Sequence, residues 1–263
     1  MAYQFINVSV ENGVAIIALN RPDKLNSFNK PMSLELQDAI SNAADDDTIR
    51  ALLLTGEGRA FCAGQDLAEA IEVGKETNNE LGLIVRESYN PVILGLRNIE
   101  KPVICAVNGV AAGAGANLAY ACDIVLASDQ SSFIQSFSKI GLIPDSGGTF
   151  ILPRLVGMQR ATALAILGNK LTAEEARDYG LIFKVIPHDE LMAEAGKMAT
   201  KLAKQPTKGF GLIKRGLNQS LSNDLETQLE LEAQLQTEAG HTNDYSEGVA
   251  AFLEKRKPEF KGN

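Results

Sequence analysis

The chain has 263 residues, 45% of them hydrophobic and 22% charged, with a formal net charge of −8 and a pI of about 5.0. That is the composition of a soluble globular protein near the size where one core can still grow or a small second domain splits off. The acidic balance argues against general nucleic-acid or anionic-membrane binding, but an anionic small ligand needs only a local basic patch.

In chain order, "YQFINVSVENGVAIIALN" is a hairpin, two β-rich runs around the turn dipeptide Asn12-Gly13. Residues 31–45 are helical by their apolar spacing, "RALLLTG" is a short buried strand, and residues 78–99 are mostly helical, disturbed at Asn90-Pro91. "KPVICAVNG" and "DIVLAS" are further strands on either side of the small-residue run "AAGAGANLAYA". Strands alternating with helices imply βαβ-type crossovers. Past Thr149 the pattern turns mainly helical. "LTAEEARDYG" carries a capping box, Thr172 with Glu175, closed by Gly180. "LIFKVI" is one late strand, and helices are expected over 189–204, 206–219, 222–239 and 243–256. The Leu/Glu/Gln-rich run 225–238 does not sustain a heptad register, so it suits core and subunit packing better than a partner-binding coiled coil. The organisation expected is a mixed α/β core over residues 1–200 with a helical module over 201–263.

Cys62, Cys105 and Cys122 lack metal-ligand spacing and are expected to be buried free thiols, consistent with a reducing cytoplasm. No apolar run is expected to span a bilayer: "PVICAVNGVAAGAGANLAYACDIVLA" is broken by Asn108, Asn117, Asp123 and several glycines. The opening "MAYQFINVSV" alternates like a strand and lacks a signal-peptide pattern, so a cytoplasmic location is expected.

Two stretches join a strand to a helix through small residues, "GRAFCAGQDL" at Ala63-Gly64 and "NGVAAGAGANLAYA". Small residues admit a ligand to the backbone, and the first N–H groups of a helix are unpaired donors. Two such donors aimed at one point would form an oxyanion hole; close strand–helix packing is the other reading. "GLIPDSGG" sets Asp145 between a proline and two glycines, where it is either a proton carrier or an N-cap for "SGGTFIL". No P-loop or full dinucleotide fingerprint is present. His188 and His241 lie in polar late segments, and with no Ser–His pairing or metal-ligand cluster legible, serine-nucleophile and metal mechanisms have no footing.

"LNRPDKLNSF", "GRAFCAGQDL", "KPVICAVNGVAAGAGANLAYACDIVLAS" and "FSKIGLIPDSGGTFILPRLVG" resemble, in order and spacing, the crotonase (enoyl-CoA hydratase/isomerase) superfamily over nearly the whole chain. Their details resemble most its ring-epoxide isomerases of phenylacetyl-CoA breakdown. The resemblance implies an α/β fold, a crotonase-like ββα spiral core with a C-terminal helical trimerisation module, assembled as a homotrimer or a dimer of trimers.

It also implies oxyanion-hole amides at Ala63 and Ala114 and a coenzyme A side lined by Gln65, Asp66 and Leu67. Lys24 and Leu25 would flank the ligand, and Phe252 and Lys255 would reach coenzyme A, either their own subunit's or that of an adjacent one. The family's hydratases carry two catalytic glutamates where this chain has Asn117 and Phe137. Those two residues are therefore expected to face substrate without acid–base duty, leaving Asp145 as the proton carrier. The implied activity is isomerisation of an acyl-CoA, either opening of an aromatic ring epoxide to an oxepin or a β,γ to α,β double-bond shift. Coenzyme A enters as part of the substrate, and no cofactor or metal is implied. The rival within the family is a dehalogenase with Asp145 as nucleophile, disfavoured because this chain has no tryptophan and no histidine before His188. A non-catalytic coenzyme A-binding relative is the third reading. The acyl-pocket wall is expected from residues 66–90.

Overall fold

The computed structural model describes residues 3–263; Met1 and Ala2, at the head of the opening run and of the expected core, lie outside them. β1 (Ile6–Glu11) and β2 (Val14–Leu19) pair antiparallel across Asn12-Gly13. Both turn residues have positive φ, 52° and 77°, as a tight I′ turn requires. α1 (Lys30–Asp45) follows, its first turn capped by the Asn29 side chain, which accepts from the Met32 amide at 3.1 Å.

The chain then winds through ββα turns. β3 (Ala51–Gly56) and β4 (Ala60–Cys62) lead into α2 (Leu67–Glu76). A helical stretch of α3 (Gly82–Ile84), a π-helical turn (Val85–Tyr89) and α4 (Asn90–Asn98) comes next. β5 (Val103–Val107) and β6 (Val110–Ala112) lead into α5 (Ala114–Tyr120), and β7 (Ile124–Ser128) and β8 (Ser132–Ile134) into α6 (Gly148–Leu167). The first strand of each pair joins one sheet and the second another. The six-stranded sheet runs β1-β2-β3-β5-β7-β10 and the four-stranded one β4-β6-β8-β9, where β9 is Lys170–Thr172 and β10 is Lys184–Ile186. All pairings are parallel except β1 with β2 and β8 with β9. The capping box is present in both directions at the start of α7 (Ala173–Tyr179), with Thr172 bonded to Glu175.

β3, β5 and β7 are continuous apolar runs because both faces of their sheet are covered. Leu52, Leu54, Cys105 and Val107 face the main core, while Leu53, Ile104 and Leu126 face α8 (Leu191–Ala203). Helix α8 answers with Leu191, Ala195, Ala199 and Ala203, one side of a helix at four-residue spacing. It belongs to the sheet, so a division after residue 200 falls within its last turn.

Beyond it lie α9 (Thr207–Ser220), α10 (Leu225–Gly240) and α11 (Asn243–Glu254). They are tied to the core by polar bonds. The buried Lys214 donates to Asp123 at 2.7 Å and to the Leu96 carbonyl at 2.6 Å, and Arg50 donates to the Phe260 carbonyl at 3.0 Å.

Two expectations change. α6 is long and apolar enough by length and composition to cross a membrane, although no run was expected to be; Gly157, at φ 77° and ψ 159°, breaks it into two shorter helices. Ser128 Oγ does pair with His188 Nδ1, at 3.0 Å. The pair fastens the end of β7 to the segment after β10, with the His188 amide also bonded to Asp129, and it lines no described cavity.

Candidate active site

The site forms where the end of β4 meets the start of α5. A Cβ on Gly115 would collide with the Cys62 carbonyl, and one on Gly64, at φ 94°, would stand 2.8 Å from the Ala112 carbonyl oxygen. Only glycine allows the two strand–helix joints to lie this close. Close packing and exposed amides, the two readings of these stretches, are therefore the same arrangement.

Which amides are free is decided by a third segment. The Ala63 amide donates to the Leu25 carbonyl at 3.0 Å, so it is not available to a ligand, contrary to expectation. Phe28 forms a parallel bridge with Gln65: the Phe28 amide donates to the Gly64 carbonyl at 2.7 Å, and the Asp66 amide to the Phe28 carbonyl at 2.9 Å. In such a bridge the middle residue's own N–H points the other way. Among the described residues the Gln65 amide has no acceptor, and neither has Ala114, the first residue of α5. Gln65 and Ala114 both line a cavity of about 250 Å³. The free pair is thus Gln65 with Ala114, and Ala63 contributes wall.

Asp145 lines the same cavity and is the only carboxylate among its described lining residues. Burial raises its carboxyl from the ordinary 3.8 to about 6, against the lowering effect of the Ser146 hydroxyl bonded to Oδ1 at 2.9 Å. It does not cap α6: the cap position is Gly147, with no side-chain bond. The turn that carries the acid is unusual, with Ser146 at φ 50° and Gly147 at 76°. Asn117 holds it: Nδ2 donates to the Asp145 carbonyl at 2.8 Å, while Oδ1 accepts from Gln135 at 2.9 Å. Asn117 is fully buried, so it positions the acid instead of facing substrate as expected. Because Asn117 and Ala114 share one helical turn, α5 fixes an amide donor and the acid together.

The structure therefore brings Ala63, Gln65, Leu67, Ala114, Phe137 and Asp145 to one cavity and leaves the other expected residues outside its lining. Asp66 instead caps α2 and pairs with Arg21 at 2.8 Å. Burial opposes its charge, yet Arg21 and the amides of Ala68 and Glu69 hold its carboxyl below the ordinary value. Lys24 is exposed and ends a short 3₁₀ turn, with Leu25 next to it at φ 51°. Phe252 is exposed on α11, and Lys255 caps that helix in the left-handed conformation. All three cysteines are buried free thiols; burial pushes Cys62, beside the site, up to about 12, too high for a nucleophile.

Sequence reasoning missed the polar groups of the wall. Tyr89, Ser136 and Lys139 line the cavity, with Leu81, Ile84 and Val85 in the segment expected to form it. One signal was present for Tyr89, the following Asn90-Pro91. Pro91 has no N–H for the Glu87 carbonyl, which Gln37 takes at 3.1 Å, and the helix widens into a π turn that closes on the Asn90 amide. That turn ends on Tyr89, aimed at the cavity.

A parallel spiral of ββα turns with two free amides and one raised carboxylate in an apolar cavity is an arrangement able to polarise a carbonyl and to move a proton. The family model for enoyl-CoA hydratase/isomerase matches residues 9–263. The chain is 51% identical over 259 residues to the 1,2-epoxyphenylacetyl-CoA isomerase of Escherichia coli strain K12, covering 98% of this chain and 99% of that one. It is 38% identical over 262 residues to the trans-2-decenoyl-acyl-carrier-protein isomerase of Streptococcus mutans, covering 100% of both. A solved enoyl-CoA hydratase from Bacillus anthracis superposes with a TM-score of 0.92 at 35% identity, covering 99% of this chain and 100% of that one. The protein belongs to the enoyl-CoA hydratase/isomerase family, and its fold is the crotonase spiral expected from the sequence.

Proposed function

We propose that this enzyme isomerises acyl-CoA thioesters by proton transfer through Asp145, with ring-1,2-epoxyphenylacetyl-CoA, converted to its oxepin isomer, as the first candidate substrate. The observation that carries this reading is the solitary carboxylate. Water addition across a double bond calls for an acid and a base poised together, and Asp145 has no second acid beside it among the described lining residues. A single carboxyl suffices to take a proton from one carbon and return it to another. The thioester oxygen, negative in the enolate, is held by the Gln65 and Ala114 amides. In the epoxide the ring bond between the two oxygen-bearing carbons breaks, the α-proton passes to Asp145, and a proton returns to a conjugated ring carbon. In a 3-enoyl-CoA the same carboxyl carries the α-proton to Cγ. Neither route changes the composition of the substrate, and neither requires a metal or redox group. The names of the two isomerase relatives support this reading, as does the apolar wall.

The test is Asp145→Asn. Turnover of the ring epoxide and of 3-hexenoyl-CoA is expected to fall by about 10²–10⁴-fold, the scale for a lost general acid–base, with coenzyme A affinity largely kept because backbone amides hold the thioester. Activity within threefold of wild type would overturn the assignment. Single turnover in ¹⁸O-water separates the nucleophilic rival: label in the Asp145 side chain would mean that an aspartyl ester had formed.

A further inference from the structure

The cavity wall is hydrocarbon apart from a few groups, and one pair of them has no task in moving a proton. Tyr89 is buried, its ring stacked on Phe28 with centroids 5.2 Å apart, and its hydroxyl donates to the Gln65 side-chain carbonyl. Among the described residues that carbonyl has no other donor, and the Gln65 Nε2 makes only long contacts of 3.4 and 3.5 Å. A phenylalanine would stack on Phe28 as well and would spare the desolvation of a hydroxyl and an amide in an apolar wall. Here instead the π turn ends on Tyr89, and the tyrosine and its partner Gln65 both line the cavity that holds Asp145.

We infer that the Tyr89 hydroxyl, with the Gln65 side chain, is the specificity-determining group that binds an oxygen carried on the acyl ring. The inference rests on the proposed reaction, whose substrate has such an oxygen. In that substrate the ring oxygen stands three bonds from the thioester carbon. One residue can therefore serve both: the Gln65 backbone amide takes the thioester oxygen while its side chain presents Tyr89 to the ring oxygen. When the Gln65 amide group turns over, its Nε2 donates to the tyrosine oxygen and frees the phenolic proton for the ligand. Burial first, and then the nearby Asp145, hold the phenol well above its ordinary value. It stays protonated, a donor and not a base. Hydrocarbon enoyl chains offer nothing to this pair and depend on Asp145 and the amides alone.

Two unreactive ligands that differ by one oxygen, phenylacetyl-CoA and 2-hydroxyphenylacetyl-CoA, test this by titration calorimetry with wild type and Tyr89→Phe. Wild type is expected to prefer the oxygenated ligand by about 2- to 13-fold, the range for one hydrogen bond between neutral groups, and the variant to lose that preference while binding phenylacetyl-CoA unchanged. Turnover should follow: Tyr89→Phe loses a similar factor on the ring epoxide and less than threefold on 3-hexenoyl-CoA. No preference in wild type, a preference that survives in the variant, or equal losses with both ligands would overturn the inference. Circular dichroism melts of the variant identify a folding loss, which would lower both ligands equally and so count against it. The binding arm does not depend on turnover. Wild type that discriminates yet leaves the epoxide unchanged sinks the proposed reaction alone, whereas normal epoxide turnover by the variant sinks this inference alone.

Discussion

As the proposed proton carrier, Asp145 should have opposite effects on activity and on stability, and both follow from its burial. A general base must be ionised, so kcat/KM should rise with pH to a plateau above about 6. Between the ordinary 3.8 and that value the folded protein holds a proton that the unfolded chain has released. Stability therefore falls as pH climbs through this window, because ionising the carboxyl in place is costly. Asp145→Asn removes the slope. Urea unfolding at a fixed protein concentration should show the variant more stable than wild type by about 1–3 kcal/mol at pH 8, allowing for partial solvent screening, and equal to it at pH 4. A variant less stable at pH 8 would show that the carboxylate has a stabilising partner. The acid itself was legible in "GLIPDSGG", since a carboxylate among glycines and apolar residues has few idle roles. Its anchor was not legible: Asn117 lies 28 positions earlier, and nothing local to either residue announces the bond. The same holds for the free amide, where Ala63 and Gln65 are told apart only by the distant backbone of Leu25 and Phe28.

At the level of elements, periodicity revealed what was long enough to have a period. The helices over 31–45 and from residue 189 onward emerged within a few residues of their expected bounds. β8 and β9, three residues each, complete no recognisable alternation and were missed, while β4 and β6, equally short, were legible only as the strand ends of the two small-residue joints on which the site depends. Local propensity also misleads at the head of α6. Replacing a helical glycine by alanine ordinarily stabilises by about 1 kcal/mol. At Gly148 the added Cβ would collide with Asn117 Nδ2 and lie 3.0 Å from Pro144 Cβ, forcing Asn117 off the Asp145 carbonyl. Gly148→Ala should therefore destabilise by about 1–3 kcal/mol, the cost of leaving buried polar groups unpaired. It should lower kcat more than it raises KM, because the acid moves while the amides stay. A more stable variant with normal kcat would mean that α6 shifts without disturbing the turn.

On the scale of the whole molecule, the surface left by the C-terminal helices has to be explained. Leu217, Leu225, Leu229, Phe252 and Leu253 on α9–α11 are each more than half exposed, as are Met158 and Ile166 on α6. Soluble monomers seldom present apolar side chains in such number on one module, and burial in an interface is their usual use. We propose that this surface makes a homotrimer or a dimer of trimers, and that assembly brings Phe252 and Lys255, remote from the cavity of their own chain, to the coenzyme A of a neighbour. Deleting the module is a poor test, because it would strip the buried Lys214 from Asp123. Charge at the surface is cleaner: Leu225→Glu with Leu229→Glu lies on exposed positions and leaves the core alone. Light scattering of wild type at micromolar concentration should give three or six times the 28.2 kDa chain, and the double variant should dissociate toward the monomer. Lys255→Ala should then raise KM for acyl-CoA severalfold with kcat nearly kept, since a phosphate contact binds ground and transition states alike. A stable wild-type monomer would end the proposal. An intact oligomer in the double variant would move the interface off α10, and an unchanged KM in Lys255→Ala would remove the neighbour's lysine from the site.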